Sequence, residues 1–288
     1  MANSFDRKIR LELIGTNIKI EDLDVDIEIK TSIDQTPNEA MVKIWNISNE
    51  TKSLIKNDTI GVKILFKDIE KDSFSLIFEG NKRDRIKTQK GSKTKGKKGG
   101  TQRQIEFEQD GADEATVINL GESYNKYVNT YYQKSFKGSV SSKKIIEDIA
   151  SKMDVAVKYL GNIPFVKYND VVFKSSAKNV LNTICDKMGC KWSFQQGAIS
   201  ITKTLTSEDE RRVLVNEYNS QNTEKPQYLD NDEIELETIL SAEVIPGQWV
   251  SVDTAEIKNT LRVVKAEHYL SNYSTANKSR ITVKEVSS

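Results

Sequence analysis

The sequence predicts a mainly β protein with an α+β insert, in which two β halves flank a small α/β unit carrying a helix–strand duplication. Three observations carry this. Polar and apolar residues alternate with period two through most of the first hundred residues and again after about 210. Between them lie two amphipathic helical segments offset by 35 positions. The chain is long enough for two or three cores, at 288 residues, 37% hydrophobic and 30% charged. The expected division is 1–111, 112–206 and 207–288.

In the first part, Asp24 to Lys30 alternates without a break. Residues 40–47 are apolar on both sides, and a strand covered on both faces is expected there. A short helix capped by Ser48 or Asn49 follows at 49–56. Further alternation runs through Val62, Ile64 and Phe66, through Phe74, Leu76 and Phe78, and resumes at Ile105 and Phe107. In the middle, Ser141–Met153 and Ser176–Met188 each place a serine before one apolar helical face. They share Ser, Lys, Ile, Lys and Met at equivalent positions. Strands are expected at 155–159 and 190–194, the second turning through Gln195-Gln196-Gly197 into a hairpin with 198–202. The third part has strands at 213–215, 233–240, 249–252, 261–269 and 280–286, with a polar linker at 216–231. Segments 24–29 and 233–238 share one rhythm, acids on one face and aliphatics on the other, which suggests two related barrels or sandwiches.

Charge is distributed unevenly. The formal total is +1, from 43 Lys+Arg and 42 Asp+Glu, yet residues 82–103 hold ten positive residues and one acid. Residues 87–102 contain no apolar side chain, so a flexible Lys-rich loop is expected, with Lys87, Lys90, Lys93, Lys95, Lys97 and Lys98 as partner-contacting residues. Such a loop can neutralise phosphates. It lacks the aromatics that stack bases, so an acidic protein surface is the preferred partner.

No catalytic constellation is found. With one histidine, sites needing two imidazoles are excluded, and His268 is read as a surface or interface residue. Cys185 and Cys190 lack redox spacing and read as buried free thiols. Asp22, Asp24 and Asp26 lack the glycine and the twelfth-position Glu of a calcium loop. No phosphate-binding, dinucleotide-binding or nucleophile-elbow motif occurs. Neither a cofactor nor a metal is expected. There is no apolar run of 18 residues, so no membrane insertion is expected. No apolar h-region follows the first residues.

Dispersed motifs then converge. Pro37-Asn-Glu-Ala-Met-Val-Lys-Ile-Trp-Asn-Ile-Ser48, followed by a short helix and a strand, resembles a strand of phage baseplate hub proteins. Ile77-Phe-Glu-Gly80, Asp110-Gly111, Trp192–Ile201, Ile245–Val252 and Val263–Ser274 are similar to later segments of the same family, in the same order. The resemblance covers most of the chain. It implies two tail-tube-like β-barrel domains flanking the α/β domain, and a structural hub: a homotrimer whose six barrels adapt the hexameric tail tube protein to the central spike protein. Tape measure and baseplate wedge proteins are further implied partners, and DNA is passing cargo only. The implied location is the tail baseplate of a virion, or a phage-tail-like (bacteriocin-like) particle, assembled in the bacterial cytoplasm. On this reading Asp24, Asp26, Glu28, Glu233, Glu235 and Glu237 face the bore and repel phosphate. The alternative is a tail-associated protein that binds or degrades peptidoglycan.

Overall fold

The computed structural model describes residues 8–33, 38–56, 60–67, 72–90, 114–122, 126, 129–203, 213–216, 226–273 and 277–285. The chain opens with β1 (Lys8–Leu13), β2 (Lys19–Ile20), β3 (Val25–Ser32), β4 (Glu39–Trp45), helix α1 (Asn49–Ile55), β5 (Gly61–Lys67), β6 (Ser75–Lys82), β7 (Lys87–Lys90) and β8 (Glu114–Gly121). Alternation is what makes these strands: Val25, Ile27 and Ile29 are buried while Asp26 and Glu28 are half-buried. Each such aliphatic side chain contributes roughly 1.5–3 kcal/mol by leaving water. In β4 the burial also alternates, with Met41 and Lys43 half-buried. The expected two-faced cover is therefore limited to its end, where Trp45 and Ile47 are both buried. Ser48 caps α1 by accepting from the Thr51 amide, satisfying a donor that the helix start leaves orphaned.

The middle segment runs β9 (Tyr131–Ser141), α2 (Ser142–Met153), β10 (Ala156–Leu160), β11 (Lys167–Ser176), α3 (Ala177–Met188), β12 (Cys190–Gln195) and β13 (Ala198–Lys203). The duplication in sequence is a duplication in structure. Both helices are capped by a serine, Ser141 or Ser176, and both end on a left-handed residue, Asp154 or Gly189. Their buried faces pack with Trp192, Phe194 and Ile199 into one core. Among the described residues β9 pairs only with β11, antiparallel, while β10 and β12 flank β13 on either side. The β10–β13 pairing is parallel.

The last segment comprises β14 (Val213–Asn216), β15 (Gln227–Tyr228), β16 (Glu233–Ile239), β17 (Trp249–Asp253), β18 (Lys258–Ser271) and β19 (Lys278–Lys284). Its strands do not form a sheet of their own. β18 pairs antiparallel with β3, so first and last segments share one 14-stranded sheet with the path β15-β16-β19-β18-β3-β4-β8-β6-β5-β1-β2, to which β7 is attached through β8, β17 through β18 and β14 through β17. No closed barrel is found among the described residues, where the path ends at β15 and β2. The core follows the same continuity: Leu240 and Leu270 of the last segment pack among the aliphatics of the first. β8, at 114–121, belongs to this sheet through β4, β6 and β7.

Candidate functional site

The face shared by β3, β18, β19 and β16 carries charged residues on every strand. Opposed residues in neighbouring strands point to the same side, so register fixes the pattern. Glu237 lies opposite Arg280, Arg280 opposite Glu267, Glu267 opposite Lys30, and Lys30 opposite Glu39. Arg83 ends the row with an ion pair to Glu39. Six charges of alternating sign thus cross five strands. Lys278 reinforces the row by donating to Glu237 at 2.6 Å, and Glu28, 2.8 Å from Lys30, raises the lysine's affinity for its proton.

Five of the six sequence-predicted acids lie on this one face. Asp26 and Glu28 sit on β3 and Glu233, Glu235 and Glu237 on β16, and the register makes them coplanar although about 200 positions separate them. Asp24 lies one residue before β3 and accepts from the Trp45 amide through its carbonyl. Each acid on the face has a neighbour that alters its effect. Tyr273 donates to Asp26, Arg280 reaches Glu235 at 3.5 Å, and Glu233 lies opposite Lys284. The face is one of alternating charge, not a uniformly acidic one.

The basic segment is partly built into the fold. Lys82 is buried, and its Nζ donates to the carbonyls of Ile55 (3.2 Å) and Lys56 (2.6 Å), closing the C-terminus of α1. Lys87–Lys90, expected in a flexible loop, form β7 along Glu114–Val117 of β8, because the edge of β8 turned away from β4 is open there to main-chain pairing, which does not depend on the side chains. Lys93, Lys95, Lys97 and Lys98 lie outside the described residues, as do Ile105 and Phe107.

A second cluster was invisible in the sequence. The β12–β13 hairpin turns through Gln196 and Gly197, both at positive φ (52° and 76°), the geometry a two-residue turn requires. Its tip inserts against the great sheet. The Gly197 amide donates to Oε1 of Glu122 at 2.6 Å, and Nδ2 of Asn38 donates to Glu122 Oε2 and Phe194 O, both at 2.6 Å. Gln195 and Gln196 donate to the carbonyls of Ser32 and Leu76. Glu122 is 1% exposed, and burial pushes its carboxyl up to about 7, partly offset by the Gly197 and Asn38 hydrogen bonds. His268 borders the same small cavity, of about 10 Å³, which holds one water at most. It is not a surface residue: it is 3% exposed, with Nδ1 2.8 Å from Ser279 Oγ. Burial without a charged partner pushes it down to about 4. Alternation could have foretold this, since His268 opposes Ile29 on the buried side of β3. Glu122 gave no such signal, because nothing local marks a residue just past a strand as buried. Cys185 and Cys190 are buried free thiols, and burial pushes the Cys185 thiol up to about 12.

Among the described residues no group of three His, Cys, Asp or Glu could hold a metal ion, and no helix is long and apolar enough to cross a membrane. No protein-family model matches the sequence, and no curated protein does. The solved structures do match. The 43 kDa tail protein of prophage MuSo2 from Shewanella oneidensis superposes with a TM-score of 0.64 at 7% identity, over 96% of this chain and 96% of that one. This is the fold of prophage tail proteins. A tail protein from Neisseria meningitidis MC58 repeats the likeness, with a TM-score of 0.62 at 9% identity over 97% and 96% of the two chains. The likeness spans all three segments, so the shared sheet and the inserted α/β unit both belong to it.

Proposed function

We propose that this chain is a structural protein of a phage tail or phage-tail-like particle, and within it the baseplate hub. Three copies form a ring that adapts the hexameric tail tube to the central spike. The observation that carries the reading is the fold likeness to tail proteins over nearly the whole length of both chains. In the proposed arrangement, residues 1–111 together with β8 and residues 207–288 serve as two tube-like domains, and the rest of 112–206 as the α/β domain between them. Two related β halves per copy give a trimer six, which matches a sixfold tube with closed threefold symmetry.

The continuous ladder from β3 to β18 supports a mechanical role, because it fixes the two halves to one another by main-chain hydrogen bonds along seven paired positions. We assign the alternating-charge face to the bore. Interleaved charges of opposite sign leave little net field beyond a Debye length of about 8 to 10 Å, so a passing polyanion meets neither strong attraction nor strong repulsion.

Cryo-electron microscopy of purified tail particles tests this directly. A ring of three copies between tube and spike, with Glu28 and Glu237 facing the channel, is the expected result. Absence of the chain from every tail-like particle, or clearing of cell walls by the pure protein in a zymogram, overturns the reading.

A further inference from the structure

The β9–β11 ribbon has one face buried against the helices, through Tyr132, Phe136 and Phe173, and one face open. The open face carries Gln133, Ser135, Lys137, Ser139, Asn169 and Lys174, all exposed, with Lys167 at its end and Val172 67% exposed. Its one acid, Asp170 at the β11 bulge, is held by the Gly138 amide at 2.8 Å. Three of the unit's acids are engaged with cations off this face: Asp148 with Lys134 (and Tyr132), Glu147 with Lys143 and Asp154 with Lys126, while Asp186 lies on α3. Lys137, Lys167 and Lys174 have no ion-pair partner among the described residues. Residues 129–203 hold twelve lysines against five acids, a net charge of +7 in a chain whose total is +1.

We propose that this ribbon face binds the phosphate backbone of duplex DNA without reading sequence. Lysine with serine, glutamine and asparagine is a donor set that contacts phosphate and sugar oxygens. Protein–protein interfaces are instead depleted in lysine and serine. The shape fits as well. A two-stranded ribbon enters a groove about 12 Å wide, and ten residues at about 3.3 Å each span roughly one helical turn of the duplex. The assignment goes beyond the hub reading and does not depend on it. Lysines on a ribbon whose two edges are unpaired among the described residues also guard against strand addition, and the test separates the two roles.

The probe is a fluorescent 20-base-pair duplex of random sequence, titrated with the full chain at 50 to 200 mM salt and followed by anisotropy. Three neutralised phosphates contribute a slope of about −2.7 in log K against log salt, so replacing Lys137, Lys167 and Lys174 together by Gln is expected to remove that much slope. At these three sites alone the affinity falls about 40-fold over the same salt range. A variant that keeps wild-type slope, with circular dichroism showing it folded, overturns the proposal and moves any binding to residues 82–103. No DNA binding at 50 mM salt overturns it too. So does a variant whose one change is self-association, because the lysines then act as edge guards. Salt-sensitive self-association of the wild type, lost in the variant without a DNA effect, identifies a second copy as the occupant instead.

Discussion

Nδ2 of Asn38 donates to Oε2 of Glu122 at 2.6 Å, a contact that joins the residue before β4 to the residue after β8. The same amide nitrogen reaches Phe194 O at 2.6 Å, on β12 of the α/β unit. Its Oδ1 accepts from the Ser32 amide at the end of β3. One buried side chain therefore ties three strands of the great sheet to the inserted unit. The site gains its rigidity here, since the docking of the unit rests on a fully bonded polar cluster in a low-dielectric seam.

Asn38→Asp tests that tie. The substitution keeps the shape and replaces the donating nitrogen by an acceptor that faces a carboxylate, a carbonyl and the Gln195 amide oxygen. Leaving these groups unpaired in the seam is expected to cost more than about 3 kcal/mol. Chemical denaturation reads it. Asn38→Ala should cost less, about 1–3 kcal/mol, because it removes the donor without adding a charge.

The two helices of the duplicated unit are capped in the same way, so their caps should be worth the same. Ser141 accepts from the Lys144 amide at 3.2 Å and Ser176 from the Asn179 amide at 3.3 Å. Ser141→Ala and Ser176→Ala are each expected to lower stability by about 1 kcal/mol, and the double variant by about twice that. Equal losses in thermal denaturation support structural equivalence. A loss confined to one helix argues that the repeat is one of sequence alone.

How much of this was legible beforehand follows from the range over which each signal acts. The helices were readable because their information is local: Ser141 and Ser176 mark the starts, and Ile145, Ile149 and Met153 the buried face. The β12–β13 hairpin was readable for the same reason, through Gly197. Which strands would be neighbours was not. Nothing near Ile27 or Leu270 announces that they lie opposite one another, and the identical rhythm of 24–29 and 233–238 pointed to two separate units when both lie in one sheet. The acids were found by alternation, but their interleaved partners Arg280 and Lys278 come from another strand. Glu122 and Asn38 carried no signal, because their burial is produced by a hairpin 75 positions from the one and 156 from the other.

The charge row should show a graded response set by burial. Glu237 has a side chain only 7% exposed and touches both Lys278 and Arg280, whereas Lys30 is 57% exposed. Glu237→Ala is expected to cost about 1–2 kcal/mol, since two cations lose a shared, partly buried acceptor. Lys30→Ala should cost less than about 0.5 kcal/mol, as an exposed pair screened by water. Raising the salt concentration should narrow the effect of Lys30→Ala more than that of Glu237→Ala.

The seam also contains two titrating groups whose effects oppose one another. Burial raises the Glu122 carboxyl from 4.5 to about 7, with Glu79 adding to the shift and Lys158, Gly197 and Asn38 acting against it. Folding thus favours the protonated acid, so its contribution is fully present below pH 4.5 and is lost as pH rises to 7. Burial lowers His268 from 6.5 to about 4. Folding favours the neutral ring, so that contribution is fully present above pH 6.5 and is lost as pH falls to 4. Between pH 4.5 and 6.5 the two slopes cancel in part. His268→Gln should leave stability that declines with rising pH relative to wild type, and Glu122→Gln stability that climbs with it. Urea midpoints measured from pH 4 to 8 for the three proteins read both effects. Parallel profiles for all three would mean that neither group changes its proton affinity on folding, and that the seam is held by hydrogen-bond geometry alone.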